Sequence, residues 1–280
     1  MKNFEFILPT HIKFGEGVSQ NIANEIKALG HKKPMVVTDK GLLAAGIAGK
    51  ITDCLEAAGI EYCMFDEIEP NPRDTTVERG YALAKAEEAD MMVAIGGGSS
   101  MDTAKTIGVL LTNGGKVMDY EGLDMFENPI CDLIAIPTTV GTGSEVTFWS
   151  VITDAQRHYK MSLGSPKCAA KIALVDPDLA AMLPASIVAA TGMDALSHAV
   201  EGYTCKVSEP ITDACGIYAI KLIGDNIRNA VYSDDKEAKG NMLLASTIAG
   251  ICFGNSDIAG IHCMGEALGG LYDTPHGVTM

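Results

Sequence analysis

The sequence predicts an α/β fold: a parallel-sheet dinucleotide-binding domain over residues 1–180, followed by an all-helical domain over 181–280. Three observations carry this. Short, continuously apolar runs alternate with helical patterns through the first part of the chain. One of those runs opens straight into glycines and a further helical pattern. From Ala185 onward nearly everything is Ala-rich, helical in period and broken by glycines, with no convincing strand.

Taken in order, the start "MKNFEFILPTHIKFGEG" has one early Lys, but Pro9 and His11 interrupt its apolar stretch, so it does not have the form of a signal peptide. "PMVVTDK" (34–40) is the first strand signal, "IEYCMFDEI" (60–68) the second, "ADMMVAIGGGS" (89–99) the third and "DLIAIPTT" (132–139) the fourth. Between the first three lie the helical patterns "GLLAAGIAGKITDCLEAAG" and "TVERGYALAKAEE". Apolar strands alternating with helices predict a parallel sheet covered on both faces. After "IALVDPDLAAMLP" (172–184) the rhythm becomes helical.

The formal charge of −15 argues against nucleic acid or an anionic membrane as partner. Any phosphate must then be held by backbone amides and helix ends. No apolar run approaches bilayer-spanning length. The eight cysteines contain no C-x-x-C pair and are expected to be reduced, mostly buried apolar residues of a cytoplasmic protein, with Cys263 given a packing role.

"VAIGGGSSMDTAK" (93–105) is a buried strand running into glycines and a helix. The glycines let a ligand approach the backbone, and the amides from Ser99 onward suit a pyrophosphate. Met101 stands where G-x-G-x-x-G requires its last glycine, so a ligand-free turn is the competing reading. Asp39, ending "PMVVTD", suits a ribose hydroxyl and repels a 2′-phosphate; equally, it can cap the helix that follows. "PTTVGTGSEVT" (137–147) offers Thr138, Thr139 and Thr142 as hydroxyl donors, or is a plain hydroxyl-rich turn.

"TGMDALSHAVEGY" (191–203) places Asp194 and His198 four apart, on one face of a helix. Thr191 and Asp194 have the form of a capping box; alternatively, Asp194 and His198 converge on a metal. His262 and His276 lie in "IAGIHCMGEALGGLYDTPHGVTM". In one helix they would stand roughly 21 Å apart. Gly269-Gly270 and Pro275 are expected to end that helix, so that His276 returns from a second segment.

"FILPTHIKFGEG", "GGGSSMDTAK", "IPTTVGTGSEVT", "LVDPDL", "GMDALSHAVEGY" and "IHCMGEALGGLYDTPHG" run in order through the whole chain. Together they resemble the iron-containing (group III) alcohol dehydrogenase family. The resemblance implies a dehydroquinate synthase-like pair of domains and one divalent metal held by Asp194, His198, His262 and His276. It also implies an NAD site lined by Asp39, Gly97, Gly98, Ser99, Asp102, Thr138, Thr139 and Thr142, with Lys160 near the nicotinamide ribose. Two departures stand out. Family members usually continue with several more helices beyond the Pro-His-Gly motif, so the C-terminus is expected to be truncated at Met280. Many members carry a histidine where this chain has Glu266.

The expected function is therefore an NAD(H)-dependent alcohol dehydrogenase interconverting a small primary alcohol and its aldehyde, with Fe²⁺ as metal and Zn²⁺ the alternative. The competing readings are a zinc-dependent polyol dehydrogenase of the glycerol dehydrogenase type, and a truncated nucleotide-binding chain without turnover. Glu266, one turn from His262, is either a fifth metal ligand, a group that handles protons or accepts a hydrogen bond from an imidazole or metal-bound water, or a bland surface glutamate; the second is preferred, because Met264, Ala267 and Leu268 suggest a largely buried segment. His262 and Glu266 are thus the catalytic candidates. The resemblance further implies a homodimer or higher homo-oligomer, joined through the N-terminal segment at a sheet edge.

Overall fold

The four predicted strand runs, and a fifth at "IALV", lie side by side because each is apolar on both faces and can be buried only between helices. In the computed structural model, which describes residues 3–233 and 235–280, these five and a more exposed sixth strand at His11–Phe14 form an all-parallel sheet. Its strands in chain order are β1 (His11–Phe14), β2 (Pro34–Val37), β3 (Cys63–Phe65), β4 (Met91–Gly96), β6 (Leu133–Pro137) and β9 (Ile172–Val175), arranged in space as β1-β9-β6-β4-β2-β3. Every residue of β2, β4, β6 and β9 is buried. Alternation across the pleat splits them between two cores. Met35, Val37, Met92 and Ala94 pack under α4 (Asp74–Ala86) and α5 (Gly98–Asn113). Val36, Met91, Val93 and Ile95 face α1 (Ile22–Leu29) and α3 (Ile47–Ala57), while the short α2 (Lys40–Ala44) follows β2.

The chain leaves β2 for β3 on one side, then returns to place β4 on the other. The carboxyl ends of β2 and β4 therefore flank a topological switch point, where open α/β sheets bind ligands.

A second, three-stranded sheet was not anticipated. The short β5 (Gly122–Leu123) pairs with β8 (Tyr159–Gly164), which runs antiparallel to β7 (Trp149–Asp154). The sequence signal is present: Met161 and Leu163 are buried at alternate positions of "YKMSLG". It is overlooked when only continuous apolar runs are sought. The turn between these strands passes through His158 at φ 51°.

Beyond β9 the described residues form helices only: α6 (Pro177–Ala180), α7 (Ala185–Thr204), α8 (Pro210–Tyr232), α9 (Lys236–Asn255), α10 (Gly260–Tyr272) and α11 (His276–Thr279). No single helix among the described residues is long and apolar enough to cross a membrane. Small residues set the helix spacing. A Cβ on Gly202 of α7 would sit 2.8 Å from Cys252 Sγ of α9.

Two local expectations are overturned. Thr191 and Asp194 do not form a capping box, because α7 begins at Ala185 and both lie in its interior; the Thr191 hydroxyl donates to the Ile187 carbonyl instead. Gly269-Gly270 do not end α10, which runs on to Tyr272 and stops at Asp273 in the left-handed region (φ 54°). The glycine pair serves a close approach: a Cβ on Gly270 would meet the His158 carbonyl at 3.0 Å, and one on Gly269 would meet Lys160 Nζ at 3.2 Å. The eight cysteines are unbonded, and Cys263 is exposed rather than packed.

Candidate active site and metal centre

α7 is a 20-residue helix of mostly small residues, and its buried face repeats at i, i+4 and i+7 through Asp194, His198 and Glu201. A helix start and a turn bring further groups to that face. α10 delivers His262 from its first turn. The reversal after Asp273 then carries Pro275 and α11 back, so that the His262 and His276 rings lie 5.6 Å apart. The roughly 21 Å separation of a continuous helix is removed by that reversal.

The ligand atoms of Asp194, His198, His262 and His276 all lie within 4.8 Å of one another, the one such cluster among the described residues. Asp194 Oδ1 is the hub: it is 3.4 Å from His276 Nε2, 3.5 Å from His262 Nε2 and 3.7 Å from His198 Nδ1. Asp194 Oδ1, His262 Nε2 and His276 Nδ1 are buried without a hydrogen-bond partner. Buried polar atoms are seldom left so. Three imidazoles and one carboxylate converging in this way, with Asp194 Oδ1 and His262 Nε2 facing each other unpartnered, fit a divalent transition metal.

Electrostatics agree at His198 and Asp194. Burial pushes the His198 imidazole down to about 4, so it is neutral at pH 7, as a ligand must be. Burial would raise the Asp194 carboxyl, but the surrounding histidines outweigh it and hold the group below the usual carboxylate range. His262 is likewise opposed by burial, yet Asp194 and Glu201 raise it.

The site floors a cleft of about 640 Å³ between the sheet's carboxyl edge and the helical domain. Gly97, Gly98, Ser99, Asp102, Thr139, Thr142, Lys160, Glu266 and the four metal candidates all line it. The amino end of α5, a 16-residue helix, opens into the cleft at Gly97. There a side chain would be excluded: a Cβ on Gly98 would meet Thr142 Cγ2 at 2.9 Å.

Asp39 and Thr138 do not line this cleft. The Asp39 carboxylate accepts the Leu42 N–H at 3.0 Å and caps α2, and the Thr138 hydroxyl is buried without a partner. Asp102 lines the cleft, but its two oxygens are engaged by the Ser144 hydroxyl (2.7 Å) and the Val151 N–H (2.9 Å), so it anchors the threonine loop and β7. Lys105, fully buried, donates to the Ser144, Thr147 and Trp149 carbonyls at 2.7–3.0 Å and braces the same loop.

Burial holds Lys160 below its ordinary range, opposed chiefly by Glu266. Glu266 is not one of the four converging groups, and its segment is not buried: Met264 is 64% exposed and Leu268 46%. Two supporting groups were missed by sequence reasoning. The Gly141 carbonyl lies 3.3 Å from His198 Nδ1, and Glu201 contacts His262. Only the i+7 position of Glu201 on the Asp194–His198 face could have signalled it.

A family model for iron-containing alcohol dehydrogenase matches residues 9–177, and the model for the C-terminal part of Fe-containing alcohol dehydrogenases matches 188–280. This chain belongs to the iron-containing alcohol dehydrogenase family.

Among its relatives, a choline dehydrogenase of Bacillus subtilis (strain 168) is 44% identical over 97% of this chain and 69% of its own length. An NAD-dependent methanol dehydrogenase of Bacillus methanolicus is 41% identical over 99% and 73%. Among solved structures, a 1,3-propanediol oxidoreductase superposes with TM-score 0.95 at 39% identity, covering 99% of this chain and 73% of that one. A sulfoacetaldehyde reductase from Bifidobacterium kashiwanohense in complex with NAD⁺ gives TM-score 0.93 at 32% identity, covering 100% and 74%. The family membership makes the protein a metal-dependent, NAD(H)-linked alcohol dehydrogenase with iron as the family's metal; these matches favour neither a polyol dehydrogenase of the glycerol type nor a nucleotide binder without turnover.

Proposed function

We propose that Asp194, His198, His262 and His276 hold the metal and that the cleft beside them reduces small aldehydes to primary alcohols, and reverses the reaction, with NAD(H). The observation that carries this is the convergence of four ligand atoms, two of them (Asp194 Oδ1 and His262 Nε2) buried without a hydrogen-bond partner, on the floor of a cleft whose opposite wall is a glycine-lined helix start.

A divalent metal bound there supplies Lewis acidity to the substrate oxygen, and bound nicotinamide supplies or accepts the hydride. The chain's own residues do the rest. Gly97, Gly98 and Ser99 present backbone amides and the positive end of the α5 dipole to a pyrophosphate, replacing the basic patch the sequence lacks. Thr139 and Thr142 add hydroxyls, with Thr138 behind them. Lys160 takes the nicotinamide ribose side, its charge balanced by Glu266. We assign Glu266 to that balance and to proton handling at the cleft wall, not to the metal.

Fe²⁺ suits the donor set, although Zn²⁺ binds such sites more tightly and competes in the isolated protein. The division near residue 180 assigns the cofactor to the first domain and the metal to the second. We place the protein in the cytoplasm as a homodimer. Support for the dimer comes from β1, which among the described residues pairs only with β9 and stands at the edge of the sheet, beside exposed Phe4, Leu8 and Phe14. Sedimentation as a monomer across micromolar concentrations would exclude it.

The activity is tested by a panel of short aldehydes assayed with NADH and added Fe²⁺. Turnover of at least one, lost on chelation and restored by metal, is the expected result. Nucleotide binding with no aldehyde reduced at any metal loading would overturn the reading.

Asp39→Gly is expected to admit NADPH, because removing the carboxylate removes its repulsion of a 2′-phosphate. The cap loss by itself costs only a few tenths of a kcal/mol when glycine is the replacement. Rates with NADH and NADPH falling by the same factor would leave Asp39 with its capping role alone.

A further inference from the structure

Glu201 is a buried carboxylate, 4% exposed, that no ligand of the proposed centre accounts for. It sits on α7 one turn beyond His198 and reaches across to the first turn of α10. One oxygen, Oε1, accepts the Ile261 N–H at 2.7 Å. The other, Oε2, accepts the His262 N–H at 3.3 Å and faces His262 Nδ1 at 2.5 Å. The opposite ring nitrogen, Nε2, has no hydrogen-bond partner and points toward Asp194 Oδ1.

The chemistry of this arrangement is directional. A carboxylate only accepts, so a neutral His262 carries its proton on Nδ1, and its lone pair is left on Nε2. The same carboxylate satisfies two of the free amides at the start of α10, and favours the positive end of that helix dipole. One side chain thereby fixes where α10 starts, how the His262 ring is turned and which nitrogen is free.

We infer that Glu201 is the positioning residue of the metal centre, selecting the Nδ1–H tautomer of His262 and anchoring the first turn of α10 to α7. The inference rests on the metal reading proposed above for its consequence, but not for the tautomer itself, which is a property of the metal-free protein.

The test compares the wild type with Glu201→Leu and Glu201→Gln. Zn²⁺ affinity is measured by chelator competition, and the His262 tautomer by nitrogen-15 imidazole shifts in metal-free protein. With leucine no acceptor faces Nδ1. The proton is then expected to move to Nε2, where Asp194 accepts it and where it blocks the metal. Zn²⁺ affinity is expected to fall about 10- to 100-fold, the usual range for losing a partner behind a metal-binding histidine. Glutamine keeps one acceptor oxygen and is expected to recover part of the affinity. Should the leucine variant fail to fold, the glutamine variant alone decides, with an expected loss of about tenfold.

Zn²⁺ affinity within twofold of wild type in the folded variants would overturn the inference. So would a lowered affinity with the Nδ1–H tautomer intact, since that assigns the effect to packing. If instead the wild type and Asp194→Ala bind Zn²⁺ equally weakly, the metal reading has failed, and the tautomer comparison still judges Glu201 by itself.

Discussion

Asp194→Ala is expected to abolish metal binding and lower turnover by at least about 10³-fold, the loss that follows from removing several kcal/mol of Lewis-acid stabilisation. Asp194 is the only anion among the four converging groups, and three imidazoles approach the same oxygen at 3.4–3.7 Å. Without it a divalent ion would sit among neutral ligands in a buried site, with no countercharge to offset its desolvation. Elemental analysis and steady-state kinetics on the same preparation check both halves. Full metal occupancy, or turnover within tenfold of wild type, would remove Asp194 from the centre. Asp194→Asn separates charge from shape: it keeps the size and one acceptor oxygen, and is expected to retain some metal but little turnover.

The largest effect on stability is expected from Gly143→Val in the loop between β6 and β7. Gly143 has φ +59°, and a Cβ there would lie 2.6 Å from Gly250 Cα and 2.9 Å from the Ser246 carbonyl, both backbone atoms of α9. Neither can swing aside as a side-chain end would. The left-handed conformation costs a β-branched residue about 1–2 kcal/mol. Forcing the loop off α9 adds about 1–3 kcal/mol of overpacking. A total of about 3 kcal/mol corresponds to a fall in Tm of roughly 6–12 °C for a domain of this size. The damage also reaches the site, because this loop carries Thr142 to the glycine turn and the Gly141 carbonyl to His198. A thermal melt checks the first effect, and NADH titration the second. A Tm within about 2 °C of wild type would show that the loop and α9 are not held as closely as these contacts require.

The sequence by itself determined the parallel sheet, its helical successor and the candidate ligands. Those features are written in local patterns: continuous apolar runs for strands buried on both faces, glycines at a strand-to-helix turn, and an aspartate and histidine one helical turn apart. Only the tertiary structure decided the rest, and in each case the deciding partner lies far along the chain. His276 reaches His262 because Asp273 turns the chain back, which neither the glycine pair nor Pro275 does alone. Asp102 lines the cleft with the glycine turn, but only the fold shows that Ser144 and Val151, more than forty residues on, engage both its oxygens. Glu266 was placed in a buried segment on the strength of its apolar neighbours, yet Met264 and Leu268 stand exposed, because nothing in the described residues packs over that face. Glu201 passed unnoticed, since a glutamate in a helix looks like a solvated residue until His262, 61 positions later, is folded against it. A buried charge is defined by what surrounds it. Its surroundings come from distant elements, and no local period encodes them.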